Sequence, residues 1–138
     1  MAVAGVISRN SSSNQEDVVA GVSVQPGDLV YVASSGELMF AQADSTPQAL
    51  ALGMVVEAAS AGSTTAVLTH GSLTLIDWTS VTGAPSLTPG AVYYLDTSTP
   101  GNMVTSAPLQ GSGAIMVPLG TAVSADTFHF ERRHAVRR

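Results

Sequence analysis

Pro26-Gly27-Asp28-Leu29-Val30-Tyr31-Val32 returns 63 residues later as Pro89-Gly90-Ala91-Val92-Tyr93-Tyr94-Leu95. Each copy is a Pro-Gly turn, one variable residue and an apolar run that carries tyrosine. Pro and Gly set a turn, and β-branched and aromatic residues fit a pleated, half-buried surface, so the pattern predicts a turn feeding a strand. The residues downstream of each copy also match. The first copy runs through Gly36, Leu38-Met39-Phe40 and Ala41 to Leu52-Gly53-Met54-Val55-Val56. The second runs through Gly101, Met103-Val104 and Ala107 to Leu119-Gly120-Thr121-Ala122-Val123. Each ends in a Thr-led run, Thr64-Thr65-Ala66-Val67-Leu68 and Thr127-Phe128-His129-Phe130. Two copies are too few for a solenoid, which needs at least three. They predict a single all-β domain, residues 21–131, built as a small barrel or sandwich. Its two similar halves, about 22–81 and 86–131, would each leave an open edge and close on each other.

With 138 residues the chain is long enough for one domain with its own core. The absence of cysteine excludes disulfides and thiolate metal sites. No apolar run approaches the length that spans a bilayer, and the N-terminus lacks the order of a signal peptide, so no membrane partner is expected. Only 11% of residues are charged, against about 25% in an ordinary soluble domain, while Ser and Thr fill 30 positions. Small hydroxyls carry no charge to repel a neighbour, which suits a protein packed against other proteins.

The charge is unevenly placed. Residues 1–130 hold Arg9 against nine carboxylates, a net of −8; residues 131–138 hold four arginines against Glu131, a net of +3. An acidic body with a basic C-terminal tail (residues 132–138) is built to touch something acidic at one end. Four arginines without an aromatic platform or a basic face are a thin footprint for nucleic acid, so no direct nucleic-acid contact is expected. The tail reads instead as solvated or protein-contacting.

Residues 1–20 form an N-terminal arm. Ala2 to Ile7 is apolar, and Arg9 to Gln15 is a polar run that buries too little to offset its chain entropy. The arm is expected to order only against a partner, with Val3, Val6 and Ile7 as anchors. Glu16 to Ala20 reads as a short helical turn capped by Ser13 or Asn14. Further on, Ser34-Ser35-Gly36 marks a hairpin, and Gly53 with Val55-Val56 makes the alanine-rich segment 49–59 a strand. Gly71 is expected to break Thr64 to His70 from the next strand. There Leu73, Leu75 and Asp77 would share one face, and Thr74, Ile76 and Trp78 the other. Pro118 suits an edge or a bulge. Phe128 and Phe130 should point inward and His129 outward.

The sequence carries almost no constellation of chemistry-bearing residues. His70, His129 and His134 are scattered without ligand spacing, so no metal is expected. No Gly-x-Ser-x-Gly elbow exposes a nucleophile, and the turn glycines lack a phosphate-cradling order. No catalytic residue and no cofactor is assigned, and the chain is not expected to be an enzyme. Trp78, a lone tryptophan in a small β domain, is core or subunit interface before it is a sugar-stacking platform.

Three series of residues carry a resemblance. Gly27-Asp28-Leu29-Val30-Tyr31-Val32, Leu52 to Ala59 and Thr65 to Leu73 resemble small capsid decoration (cement) proteins of tailed bacteriophages. Leu87 to Asp96 and Gly120 to Ser124 are similar to stretches of phage virion proteins of this kind, and the first half to the head-decoration protein of lambda-like phages. The resemblance covers about residues 20–131. It implies a β-tulip-like fold and a non-enzymatic virion protein, made in the host cytoplasm, on the outer capsid surface. Its partners would be the major capsid protein and its own copies, as a closed trimer first and a dimer second. Val3, Val6, Ile7, Arg9, Arg132, Arg133, Arg137 and Arg138 would meet the capsid or a neighbouring copy, and Trp78, Tyr93 and Tyr94 are candidates for a subunit interface. The chain departs from the family in its basic C-terminal tail and its short arm. The rival reading is a receptor- or glycan-binding module of a tail or head fibre, stacking ligand on Trp78 with Tyr93 or Tyr94.

Overall fold

A computed structural model describes residues 6–9, 14–44, 53–107, 114–131 and 136–137. These residues are nearly all β. The strands are β1 (Val6–Arg9), β2 (Asn14–Val19), β3 (Leu29–Val32), β4 (Leu38–Phe40), β5 (Gly53–Val55), β6 (Thr64–Leu75), β7 (Val92–Leu95), β8 (Met103–Val104), β9 (Ile115–Met116), β10 (Pro118–Ala122), β11 (Thr127–Phe130) and β12 (Val136–Arg137). One helical turn, α1 (Thr79–Thr82), lies between β6 and β7. The main sheet runs β4-β3-β5-β6-β11-β10-β7-β8, with β1 and β2 also paired to β6.

That order is the sequence repeat written outward from the β6–β11 pair. Ladder registers agree between the halves. Val30 lies opposite Gly53 as Tyr93 lies opposite Gly120; Tyr31 lies opposite Met39 as Tyr94 lies opposite Val104. Val55 lies opposite Val67 as Ala122 lies opposite Phe128. The Pro-Gly turns bond identically: Gly27 N donates to Val55 O, and Gly90 N to Ala122 O, each at 2.8 Å. Gly53 and Gly120 are required by contact. A Cβ on Gly53 would overlap the carbonyl oxygen of Leu68, and one on Gly120 that of His129. In one respect the sequence alignment is off. Val56 N donates to Ala66 O and Val123 N to Thr127 O, so Thr127 corresponds to Ala66 and not to Thr64. The first half simply has the longer β5–β6 connection.

Strand β6 is continuous for twelve residues. Gly71 bends it, at φ 129°, without breaking it, because glycine takes that conformation while neighbouring residues keep their ladder bonds. The first part of β6 pairs with β5 and β2, the second with β11 and β1. This corrects two expectations about the arm. Glu16 to Val19 is strand, not helix: an isolated turn cannot pay for its own nucleation, whereas Asn14 to Val19 satisfy the backbone along β6. Within the described residues the arm pairs with its own chain. At the C-terminus Val136 and Arg137 pair with Met116 and Ile115. The sheet curls into a half-barrel whose ends are stitched together: Gly101 N donates to Ala41 O (2.8 Å), Ala43 N to Asp96 O (2.9 Å) and Ile115 N to Ala43 O (3.1 Å). The bulge between Pro118 and Gly120 sits inside the sheet, between β7 and β11.

The halves bury opposite faces of equivalent strands. Leu29, Met54, Val56, Ala66 and Leu68 belong to the shared core; their counterparts Val92, Thr121, Val123, Thr127 and His129 lie on the outside. Conversely Tyr93, Met103, Ala122 and Phe128 fill that core, while their counterparts Val30, Leu38, Val55 and Val67 form a second cluster with Ala20 and Val24. The first half is therefore covered on both faces and the second on one. Phe128 and Phe130 point inward, as alternation required. Trp78 does not share the outward face of Thr74 and Ile76: β6 ends at Leu75, alternation ends with it, and the turn into α1 swings the indole into the core.

Candidate functional site

Period-two alternation on β6, β11, β10 and β7 leaves one open sheet face on the second half. Val92, Thr121, His129 and Ser72 lie opposite one another in turn across four strands. Thr127 lies opposite Thr74 in the adjoining row, with their hydroxyls 2.7 Å apart. Ser72 Oγ and His129 Nδ1 are 3.2 Å apart, and the rings of His70 and His129 meet edge to face at 5.3 Å. His70 Nε2 stands 4.0 Å from Glu131 Oε2 at one rim. Between that rim and Asp126 lie hydroxyls, imidazoles and apolar groups. Val92 is 42% exposed, Val123 59% and Ile76, just past the end of β6, 66%. A shallow hollow of about 240 Å³ is lined by Val92, Tyr94, Pro118, Gly120 and Thr121.

Asp28 is the buried carboxylate of the first turn. Its Oδ2 accepts a bond from Gln25 N at 2.8 Å, but burial outweighs that bond and pushes its pKa from 3.8 up to about 6. The second copy has Ala91 here. The folded state thus holds the proton more tightly than the unfolded chain. Asp28's contribution is most favourable below pH 4, is lost as pH rises through about 6, and then levels off. The difference amounts to about 3 kcal/mol. Asp28→Asn, which keeps an acceptor for Gln25, is expected to stabilise the protein by up to that amount at neutral pH and by little at pH 4. Urea unfolding of both proteins at the two pH values checks this; an equal difference at both would refute it. Asp77 moves the other way, held below the usual carboxylate range by the Thr79 hydroxyl and backbone N–H.

Of the residues singled out from the sequence, Val3, Arg132, Arg133 and Arg138 lie outside the described residues. Val6, Ile7 and Arg9 are on β1 and Arg137 on β12. Trp78 is fully buried; its Nε1 donates to Asp126 O at 2.9 Å and its ring meets Phe128 edge to face. Tyr93 is 4% exposed, its hydroxyl accepting from Thr88 N at 2.8 Å. Both side chains are consumed by the chain's own core, and of the three aromatics only Tyr94, half-buried beside the hollow, reaches the surface. Sequence reasoning does not single out Val92, Thr121 and Val123. The signal is present in the repeat: Thr121 stands where Met54 stands, a hydroxyl in place of a core side chain. Among the described residues no three His, Cys, Asp or Glu side chains converge to hold a metal ion, and no helix is long and apolar enough to cross a membrane. No protein-family model matches the chain, and a search of curated proteins finds no match.

Proposed function

We propose that the protein is a non-enzymatic structural protein of a tailed-phage virion, which binds the outer surface of the capsid and stabilises the head. The observation that carries this reading is the open face of the second half, a rigid sheet surface of valine, threonine and histidine with its charge at the rims. Such a surface suits broad contact with another protein. The sequence resemblance supplies the class of partner, the major capsid protein, and closed self-association supplies the second. Modest contacts of this kind gain strength when many copies share one shell. Burial of Trp78 and Tyr93 weighs against the glycan-binding fibre module, which needs them outside. What favours that second reading is Tyr94 beside its hollow.

Co-sedimentation with expanded, undecorated capsids across a salt series tests the proposal. Saturable binding at a fixed copy number per capsid subunit is the expected result; absence of binding to any capsid overturns it. A steep loss with salt assigns the contact to Arg132, Arg133, Arg137 and Arg138, and a shallow one to apolar surface, either the open face around Val92 and Val123 or Val3, Val6 and Ile7. Deleting residues 1–13, which removes β1 and leaves β2 in place, is expected to abolish binding only where the arm makes the contact, and Val123→Glu only where the open face does.

A further inference from the structure

We propose that the Pro26-Gly27 turn is a pH-sensitive clasp, closed by the Asp28 carboxyl, that governs local opening of the strap from Ala20 to Val24. This does not rest on the capsid reading and is tested on the free protein.

The repeat supplies the comparison. Each Pro-Gly turn is preceded by a residue whose backbone N–H needs an acceptor, Gln25 in the first copy and Thr88 in the second. Gln25 N donates to Asp28 Oδ2 and Thr88 N to the Tyr93 hydroxyl, each at 2.8 Å. Neither half has both acceptors: Ala91 stands in the place of Asp28, and Val30 in that of Tyr93. The same N–H is thus met by a carboxyl in one half and a phenol in the other. A hydroxyl is neutral where a carboxyl titrates, so the first clasp alone can take on charge.

Asp28 is 8% exposed, and among the described residues the bond from Gln25 is the one its carboxyl makes. A buried carboxylate needs several donors or a cation to hold its charge. The groups packed on the turn provide neither. Leu75, Trp78 and Val81 crowd Gly27, Asp28 O accepts from Val55 N, and Leu29 N donates to Gly101 O. None of these residues titrates, and no charged side chain acts on Asp28. Burial, against the pull of the Gln25 bond, keeps its proton in place up to about pH 6. In an opened turn the proton leaves in the ordinary carboxylate range, near 3.8. Opening therefore releases a proton; it becomes easier as pH rises between those two values and levels off above the second.

What the clasp holds is the strap. Ala20 and Val24 lie on Val30, Leu38, Val55 and Val67. One end is tied by Ala20 N to Ser63 O and Gly21 N to Leu38 O, both at 2.8 Å. At the other, Val24 and Ala59 exchange two backbone bonds, at 2.9 and 3.1 Å, just before the turn. A segment held by a few bonds outside the regular ladders opens before the sheet does. Ionised Asp28 makes that opening easier, and opening uncovers the valine face beneath.

Amide hydrogen exchange, followed by NMR on the full chain with intrinsic rates divided out at each pH, tests the proposal. Gly27 N donates to Val55 O and Gly90 N to Ala122 O, both at 2.8 Å, so the two glycines are matched reporters of the two turns. From pH 4.5 to 7.5 the protection of Gly27 and Val24 is expected to fall at least ~10-fold relative to that of Gly90. Asp28→Asn keeps an acceptor for Gln25 but cannot ionise, and should remove the difference. Parallel loss of protection at Gly27 and Gly90 would assign the effect to global unfolding and overturn the proposal. So would a pH-dependent difference that survives Asp28→Asn, or protection at Gly27 that does not change with pH.

Discussion

Gly120→Ala is expected to destabilise the fold by about 4 kcal/mol or more, a large share of the ~5–15 kcal/mol that holds an ordinary domain together. Two costs add. The new Cβ would be driven into the His129 carbonyl oxygen, a backbone atom on a central strand that cannot swing aside. In addition, Gly120 sits at φ 150°, where an L side chain is strained by about 1–3 kcal/mol. Gly53→Ala meets the same kind of obstacle at the Leu68 carbonyl but in a backbone conformation open to any residue, so a cost of about 3 kcal/mol is expected. Gly36→Ala, at a turn with φ 88° and open space around it, is the calibrant, at about 1 kcal/mol. Urea midpoints should fall in the order Gly120, Gly53, Gly36, lowest first. Equal midpoints for Gly120→Ala and Gly36→Ala would mean that β10 and β11 leave room for a methyl group between them.

Trp78→Ala is expected to cost about 3–5 kcal/mol. It opens the largest cavity a single substitution can make in this core, beside Phe128 and Val81, and leaves the Asp126 carbonyl without its indole donor. Trp78→Phe fills part of the space and should lose about half as much. Because the chain has one tryptophan, its fluorescence reports the same event: emission should be blue-shifted in the folded protein and move red on unfolding. A stable Trp78→Ala variant with altered self-association would place the indole at a subunit contact, contrary to its burial.

The all-β class and the two-copy plan can be read from the chain because turn chemistry is local. Pro26-Gly27 and Pro89-Gly90 fix turns wherever they occur, and the apolar runs behind them have no helical period. Phe128 and Phe130 are placed correctly for the same reason, since alternation along a strand is a local property. Alternation reveals two faces but not which is inward. Leu29 and Val92 occupy the same place in the repeat, yet one is in the core and the other outside, a choice made by what packs from a distance. The arm is misread for a related reason. Glu16 to Val19 have no strong preference of their own, and their conformation is decided by the backbone of β6, about fifty residues away. Placing Trp78 requires knowing that β6 stops at Leu75. Within the candidate site Tyr94, half-buried in the structure, is legible from the sequence as an interface candidate, whereas Val92 and Val123 look like any strand valines until the two halves are superimposed.

The strand shared by the halves also settles where the polypeptide can and cannot be divided. The exposed bends after α1, around Gly83 to Ser86, invite a cut between the two copies. Residues 71–74, however, belong by pairing to the second half, where they complete the ladder of β11. A fragment ending at that loop would carry away its neighbour's bordering strand, and the remainder would be left with Phe128 and Phe130 on an unfinished edge. Neither piece is an independent folding unit. A nick there leaves both fragments held by the uncut β6–β11 ladder and the common core, so the molecule behaves as one cooperative body whose repeat is visible in its pattern but not in its unfolding.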